Sequence, residues 1–213
     1  MSADAGDISH HSSIGEPKEG VENPSGKIVV ISAPSGAGKT TIARRLLERH
    51  PDWQFSISAT TRPKREKEVD GVDYFFLSHE EFLHRVEESE MIEWEEIYGR
   101  LYGTLKSEVT KLLENPVVRR VLFDIDVKGA LSIKRAFPED AFLIFIAPPS
   151  IEELRNRLVH RNTESLQSLE RRIERATMEM ELQTMFDLSV VNSNLDEAVN
   201  QVEEAIERRP GKQ

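Results

Sequence analysis

Cysteine is absent from all 213 residues, which excludes a disulfide framework, a thiolate metal site and a thiol nucleophile, and fits a reducing compartment. No apolar run approaches the roughly 20 residues needed to cross a bilayer, and residues 1–26 lack the basic-then-apolar order of a secretory signal. A cytoplasmic protein without membrane partners is expected. Positive charge is in deficit, 28 Lys and Arg against 38 Asp and Glu, for a formal net charge of -10. Nucleic-acid affinity comes mainly from many cationic contacts to phosphates, so no nucleic-acid partner is expected and any anionic ligand must be held by local basic clusters. His79 and His84 are five apart, one residue off the spacing of a helical zinc pair, and no nucleophile turn of an acyl-transfer triad occurs. Nor does any segment recur at a fixed period, so a solenoid is unsupported.

What is present suits one core. Apolar residues make up 38% and charged residues 31%, a balance for a packed interior under a heavily solvated surface. The length matches one α/β domain with small insertions. Residues 1–25 are polar and rich in Ser, Gly, Pro and acids, and read as a disordered tail. From Lys27 the composition changes to KIVVISA, a β-branched run of the kind buried on both faces of a parallel sheet. A glycine-rich turn and KTTIARRLLERH follow, with Ile42, Ala43, Leu46 and Leu47 on one helical face and Pro51 as the stop.

Three later runs read as core strands: RRVLFDID, AFLIFIA and DLSVVN, ending at Asp126, Ala147 and Asn192. Helical patterns separate or follow them, with capping boxes at Ser150/Glu153 and Asn194/Glu197. Strands alternating with helices predict a mostly parallel sheet covered on both faces. Residues 55 to about 107 break this rhythm with strand-like FSIS and DYFFL, an acidic helical pattern and glycine turns. This stretch reads as an insertion carrying a binding site.

Residues 33–41, APSGAGKTT, approach the phosphate-loop signature G-x-x-x-x-G-K-[ST], with Ala33 in place of the first glycine. Small residues let successive backbone N–H groups turn toward phosphates, and the following helix adds its positive end. Lys39 is then expected on the β- and γ-phosphates, and the Thr40 hydroxyl on Mg²⁺. The required order of strand, loop and helix is met. Asp124 ends an apolar run, where a doubly wound fold often turns an acid toward the metal; a solvated strand-end acid is an equal alternative from sequence alone.

Nearly the whole length from 27 to about 207 resembles guanylate kinase, through SAPSGAGKTT, SATTRPKR, VDGVDYFF, MIEWEE, GRLYGT, LFDIDVKGA, FIAPPS and RLVHRN in family order. The resemblance implies an α/β P-loop three-layer fold with a mostly parallel central sheet, a GMP-binding insertion (55–107) and a helical lid (150–182) on a core of 26–54, 108–149 and 183–208. It implies an ATP site of Ala33, Pro34, Ser35, Gly36, Ala37, Gly38, Lys39, Thr40 and Thr41, with Asn192 near adenine. Arg62, Arg65, Tyr74 and Tyr102 correspond to the residues on the GMP phosphate, and Ser58, Glu93, Thr104 and Asp126 to those that read guanine. Catalytic cations would be Lys39, Arg62, Arg157, Arg161 and Arg172, with Mg²⁺ on Thr40 and Asp124 behind it. ATP and GMP are the implied partners, dGMP a further candidate, and monomer and homodimer are both open.

The chemistry of these residue types agrees. Two arginines three apart can present planar forks to one dianionic phosphate. One carboxylate can accept the adjacent N1–H and N2–H₂ donors of guanine, whereas adenine has an acceptor at N1. Departures from the family pattern stand at Lys67, Lys128, Asn162 and Ser193, which bear on lid hinging and turnover. Two other readings stay open here: a kinase of a phosphorylated sugar, which Glu93, Tyr74 and Tyr102 oppose, and a silent protein-binding module, which Gly38-Lys39-Thr40 and the lid arginines oppose.

Overall fold

A computed structural model describes residues 26–160 and 166–209. The tail at 1–25, together with Arg161 and Asn162, lies outside the described residues.

The β-branched run forms β1 (Ile28–Ser32), buried at every position because parallel neighbours and helices enclose it. After the glycine turn comes α1 (Lys39–Arg49), which buries Ile42, Ala43 and Leu46 on the face its spacing marks. The chain returns through β2 (Trp53–Phe55), β7 (Arg120–Asp124), α4 (Val127–Ala136), β8 (Ala141–Ala147), β9 (Leu188–Val191) and α7 (Leu195–Arg208). The intervening β3 (Ala59–Thr60), β4 (Phe75–Phe76), α2 (His79–Glu87), β5 (Met91–Ile97), β6 (Arg100–Leu105) and α3 (Lys106–Glu114) precede β7, while α5 (Ile151–His160) and α6 (Leu166–Glu181) precede a 3₁₀ turn at Leu182–Met185.

All pairings in the central sheet, ordered β2-β7-β1-β8-β9, are parallel. One face packs on α1 and α7 through Ile31, Leu46, Leu122, Ile144 and Val202. The other packs on α3 and α4 through Val30, Val109, Phe123, Ile133 and Leu143. Helices on both faces of one sheet make the three-layer α/β architecture that the strand and helix order predicts. The second sheet, β4-β3-β6-β5, has its own small core around Ala59, Phe82, Met91, Leu101 and Leu105.

FSIS does not form one strand. Phe55 ends β2, the Ser56 amide still donates to Leu122 O at 2.9 Å, and the chain then crosses to the second sheet, where Ala59 begins β3. MIEWEEI also departs from its acidic appearance: Glu93, Glu95 and Ile97 alternate with the more exposed Trp94 and Glu96 along a strand. The cap at Asn194 forms, with its side chain accepting from the Asp196 and Glu197 amides. At Ser150 only half a box forms, because Oγ accepts from the Glu153 amide while the Glu153 carboxylate pairs with Arg157.

Candidate active site

The phosphate loop lies beyond the carboxyl ends of β1 and β7, where open parallel sheets bind ligands. Gly36 and Gly38 take φ of 95° and 101°, a left-handed conformation that L side chains adopt only at a cost. A Cβ on Gly38 would also run into the Asn192 side chain, whose Nδ2 donates to Ala37 O at 2.7 Å. Ala33 needs no such freedom. It has ordinary backbone geometry and its methyl is buried in the core, so the first signature glycine is dispensable here.

Lys39 Nζ donates to Ile125 O at 2.9 Å and pairs with Asp124 Oδ1 at 2.5 Å. Thr40 Oγ1 donates to Asp124 Oδ2 at 2.8 Å. Asp124 therefore faces the loop rather than solvent. Loop residues Ala33–Gly36 and Gly38–Thr41 line a cavity of about 270 Å³, closed on its far side by Ile97, Tyr98, Asp126, Arg175 and Glu179. Ala37 points away into the core.

A second constellation gathers at the N-terminus of α4. Asp126 is its N-cap, with Oδ1 accepting from the Gly129 amide at 2.8 Å. Glu93, brought by β5, accepts from Thr104 Oγ1 on β6 at 2.5 Å. Glu93 Oε2 and Asp126 Oδ1 each lie 2.9 Å from the point that a Cβ on Gly129 would occupy, so only glycine lets the two carboxylates converge here. Burial pushes the Glu93 carboxyl up to about 8, with Asp126 and Glu95 adding to the rise and Thr104 opposing it.

The second sheet also carries an aromatic and cationic group. The Arg62 guanidinium lies 5.2 Å from the Tyr74 ring centre and 5.7 Å from that of Phe76. Tyr74 meets Tyr102 edge-on at 6.3 Å. Burial raises the Tyr74 hydroxyl pKa, and Asp124 raises it further, which places this phenol within electrostatic reach of the phosphate loop.

A sequence model of the guanylate kinase family matches residues 25–209. The chain belongs to that family. It is 53% identical over 179 residues to a guanylate kinase of Salinibacter ruber, covering 84% of this chain and 94% of the relative. A guanylate kinase of Porphyromonas gingivalis is 48% identical over 182 residues, covering 84% and 96%. The crystal structure of guanylate kinase from Anaplasma phagocytophilum superposes with a TM-score of 0.70 at 30% identity, covering 86% of each chain.

Not every residue carried over from the family stands ready for a ligand. The Arg62 fork is taken by Glu68, with Nη1 and Nη2 donating to its two oxygens at 2.9 and 2.8 Å. That bond holds the Glu68 carboxyl down at about 2 and raises Arg62. Arg65 is largely exposed, with Nη1 3.9 Å from Glu68. Ser58 is half-buried, and its carbonyl accepts from the Phe75 amide. From α5, Arg157 donates to Glu153 and to Asn192 O, and from α6, Arg172 Nη2 donates to Ser35 Oγ of the phosphate loop at 2.7 Å.

Sequence reasoning missed Glu68, Glu95, Tyr98 and Arg175. Glu68 stands in the acidic and basic run after SATTRPKR, where nothing local marks its partner. Glu95 shares the strand face of Glu93, a signal that period-two counting along MIEWEEI carries. Of the departures, Lys128 pairs with Glu95 at 3.1 Å and the Ser193 amide donates to Val191 O; no contact explains Lys67. Among the described residues no cluster of acids and histidines forms an all-protein metal cage, and no helix is long and apolar enough to cross a membrane.

Proposed function

We infer that the chain transfers the γ-phosphoryl group of ATP directly to GMP, with the phosphate loop holding the donor and the β5/β6 and Arg62 region holding the acceptor. The observation that carries this reading is the hydrogen-bonded pair Glu93–Thr104, whose carboxylate converges with Asp126 over Gly129. An ionised Glu93 accepts both N1–H and N2–H of guanine, while Asp126, Ser58 and Thr104 complete the edge. Adenine would leave buried acceptors unpaired, which is how such sites reject a wrong base.

Arg62 and Arg65, with the Tyr74 and Tyr102 hydroxyls, take the acceptor phosphate; Glu68 holds the Arg62 fork beside the Tyr74 ring until the phosphate competes for it. Lys39 takes the donor's β- and γ-phosphates, and Asn192 borders the adenine side. Arg157, Arg161 and Arg172 bring lid cations to the charge that grows between the two anions, a stabilisation worth most in a dry site. No general base is required, because the acceptor phosphate has a second pKa of about 6, by analogy with phosphorylated side chains.

Mg²⁺ fits the hard oxygen donors beside the loop: the Thr40 hydroxyl gives its proton to Asp124, leaving lone pairs for the ion. Bound there with ATP, it would neutralise charge on the phosphates. The division into a core (26–54, 108–149, 183–208), an acceptor insertion (55–107) and a lid (150–182) is part of the same proposal, as is a cytoplasmic setting with ATP and GMP as ligands and dGMP as a further acceptor.

A coupled ADP-release assay with Mg·ATP and GMP, AMP, UMP or a ribose bisphosphate tests this. Turnover selective for GMP, a fall of roughly 10²–10³-fold in Lys39→Ala and weakened selectivity in Glu93→Gln are expected. Binding of both nucleotides without transfer would sink the catalytic reading, and turnover of the sugar alone would sink the base site.

A further inference from the structure

Arg175 has no role in the scheme above, yet it pairs with three carboxylates, Asp126, Glu95 and Glu179. It projects from α6 with only 22% of its side chain exposed. Nη2 donates to Asp126 Oδ2 at 2.7 Å and to Glu95 Oε2 at 3.4 Å, while Nε donates to Glu179 Oε1 at 2.8 Å. Its guanidinium lies 5.9 Å from the ring of Tyr98, at the β5–β6 turn. An arginine on a solvated helix face ordinarily extends into water and forms at most an i,i+4 pair. This one reaches across to two other parts of the molecule, the strand that carries Glu93 and the N-cap of α4.

The acids it meets belong together. Asp126 Oδ1 is committed to the Gly129 amide, so its Oδ2 is the oxygen left to approach a ligand, and Arg175 governs where that oxygen points. Glu95 is one pleat along from Glu93 and faces Asp126, and burial followed by Asp126 pushes its carboxyl up. Lys128 Nζ, from α4, covers the other Glu95 oxygen at 3.1 Å. Glu179 lines the same cavity and is likewise pushed up by burial. Without a cation between them, Glu95 and Asp126 would repel each other, and the Asp126 side chain would turn from the ligand edge.

We propose that Arg175 is a positioning residue for base recognition: from the lid helix it aims Asp126 and Glu95 at the guanine edge, so the lid contributes to acceptor choice as well as to phosphate chemistry. This rests on the reading of Glu93 and Asp126 as the base reader. The chemical target is the exocyclic 2-amino group, the donor that distinguishes guanine from hypoxanthine. Glu93 satisfies one of its two protons together with N1–H, and the Asp126 oxygen held by Arg175 lies toward the other. Loss of the arginine then penalises GMP more than IMP, which has no 2-amino group to lose.

The test is steady-state kinetics of the full chain with GMP and with IMP as acceptors, for Arg175→Gln, Arg175→Lys, Glu95→Gln and the double variant Arg175→Gln/Glu95→Gln. Arg175→Gln is expected to raise KM for GMP about 10-fold and cut the GMP-over-IMP ratio of kcat/KM by a similar factor, the size of one lost discriminating hydrogen bond. KM for ATP, whose cavity Arg175 also borders, should change less than KM for GMP. Arg175→Lys should recover part of the ratio, and the double variant should recover more than Arg175→Gln alone, because it removes the repulsion as well as the cation. Equal losses toward GMP and IMP, or a fall confined to kcat with an unchanged ratio, would overturn the proposal. If Arg175→Gln does not fold, the same ratio measured in Arg175→Lys and Glu95→Gln decides, and an unchanged ratio in both overturns it. Absence of GMP turnover in the unaltered chain would instead overturn the phosphotransfer reading.

Discussion

Glu93 holds its proton unusually tightly. Burial sets its carboxyl at about 8, above an ordinary carboxylate, so between the unfolded value and about 8 the folded chain holds a proton that the unfolded chain has released. This group therefore favours folding most below the unfolded value, and that contribution is lost as pH rises through about 8. Glu93→Gln removes the ionisation. It is expected to stabilise the ligand-free chain more at pH 8 than at pH 5, by on the order of 2–4 kcal/mol, several degrees in Tm at this size. Thermal melts at the two pH values check it. The same residue predicts that kcat/KM for GMP climbs between pH 6 and 8, because the ionised form accepts both guanine donors, and that this limb flattens in Glu93→Gln. Residue types were readable in the sequence at this scale; the ionisation was not, because it depends on how completely Thr104, Gly129 and Asp126 enclose the carboxyl.

At the scale of elements, strands and helices follow local signals where burial is two-sided or the helical face is regular. KIVVISA became β1 and KTTIARRLLER became α1, both close to their apolar periodicity. The acidic MIEWEEI hid a strand because its inward positions carry glutamates, the chemistry of a site rather than of a core. A full capping box that the sequence reading passed over stands at α2, where Ser78 Oγ accepts from the Glu81 amide and Glu81 accepts from the Ser78 amide. Ser78→Ala is expected to cost about 1 kcal/mol and to leave kcat nearly unchanged, as a denaturant melt beside an activity assay will reveal. In the phosphate loop, Gly38→Ala should abolish ATP binding and lower Tm, since φ of 101° and the Asn192 contact both oppose a methyl. Ala33→Gly should cost about 1 kcal/mol without tightening ATP, because position 33 has no need of glycine; isothermal titration with an unhydrolysable ATP analogue separates the two.

The whole molecule brings together pieces far apart in the chain. Thr40 meets Asp124, Asn192 meets Ala37, Arg172 meets Ser35, and Arg175 meets Asp126 and Glu95. The cavity beside the phosphate loop thus draws its walls from both sheets and from α6. Water competes with GMP as a nucleophile, so such an arrangement should exclude it until both substrates are present. ATP hydrolysis without GMP is expected to remain a small fraction of the transfer rate, measured as ADP release before and after GMP addition; a comparable rate would count against water exclusion.

Local order in the sequence determined the phosphate loop, the succession of parallel strands and helices, and membership of the family, because each rests on spacing between neighbours in the chain. Tertiary structure alone decided that Glu68 occupies the Arg62 fork, that Ala33 replaces a glycine without strain, and that Arg175 joins Asp126, Glu95 and Glu179. Pairings of charges separated by many residues leave no periodic trace, since their energy depends on burial and distance after folding and not on sequence separation.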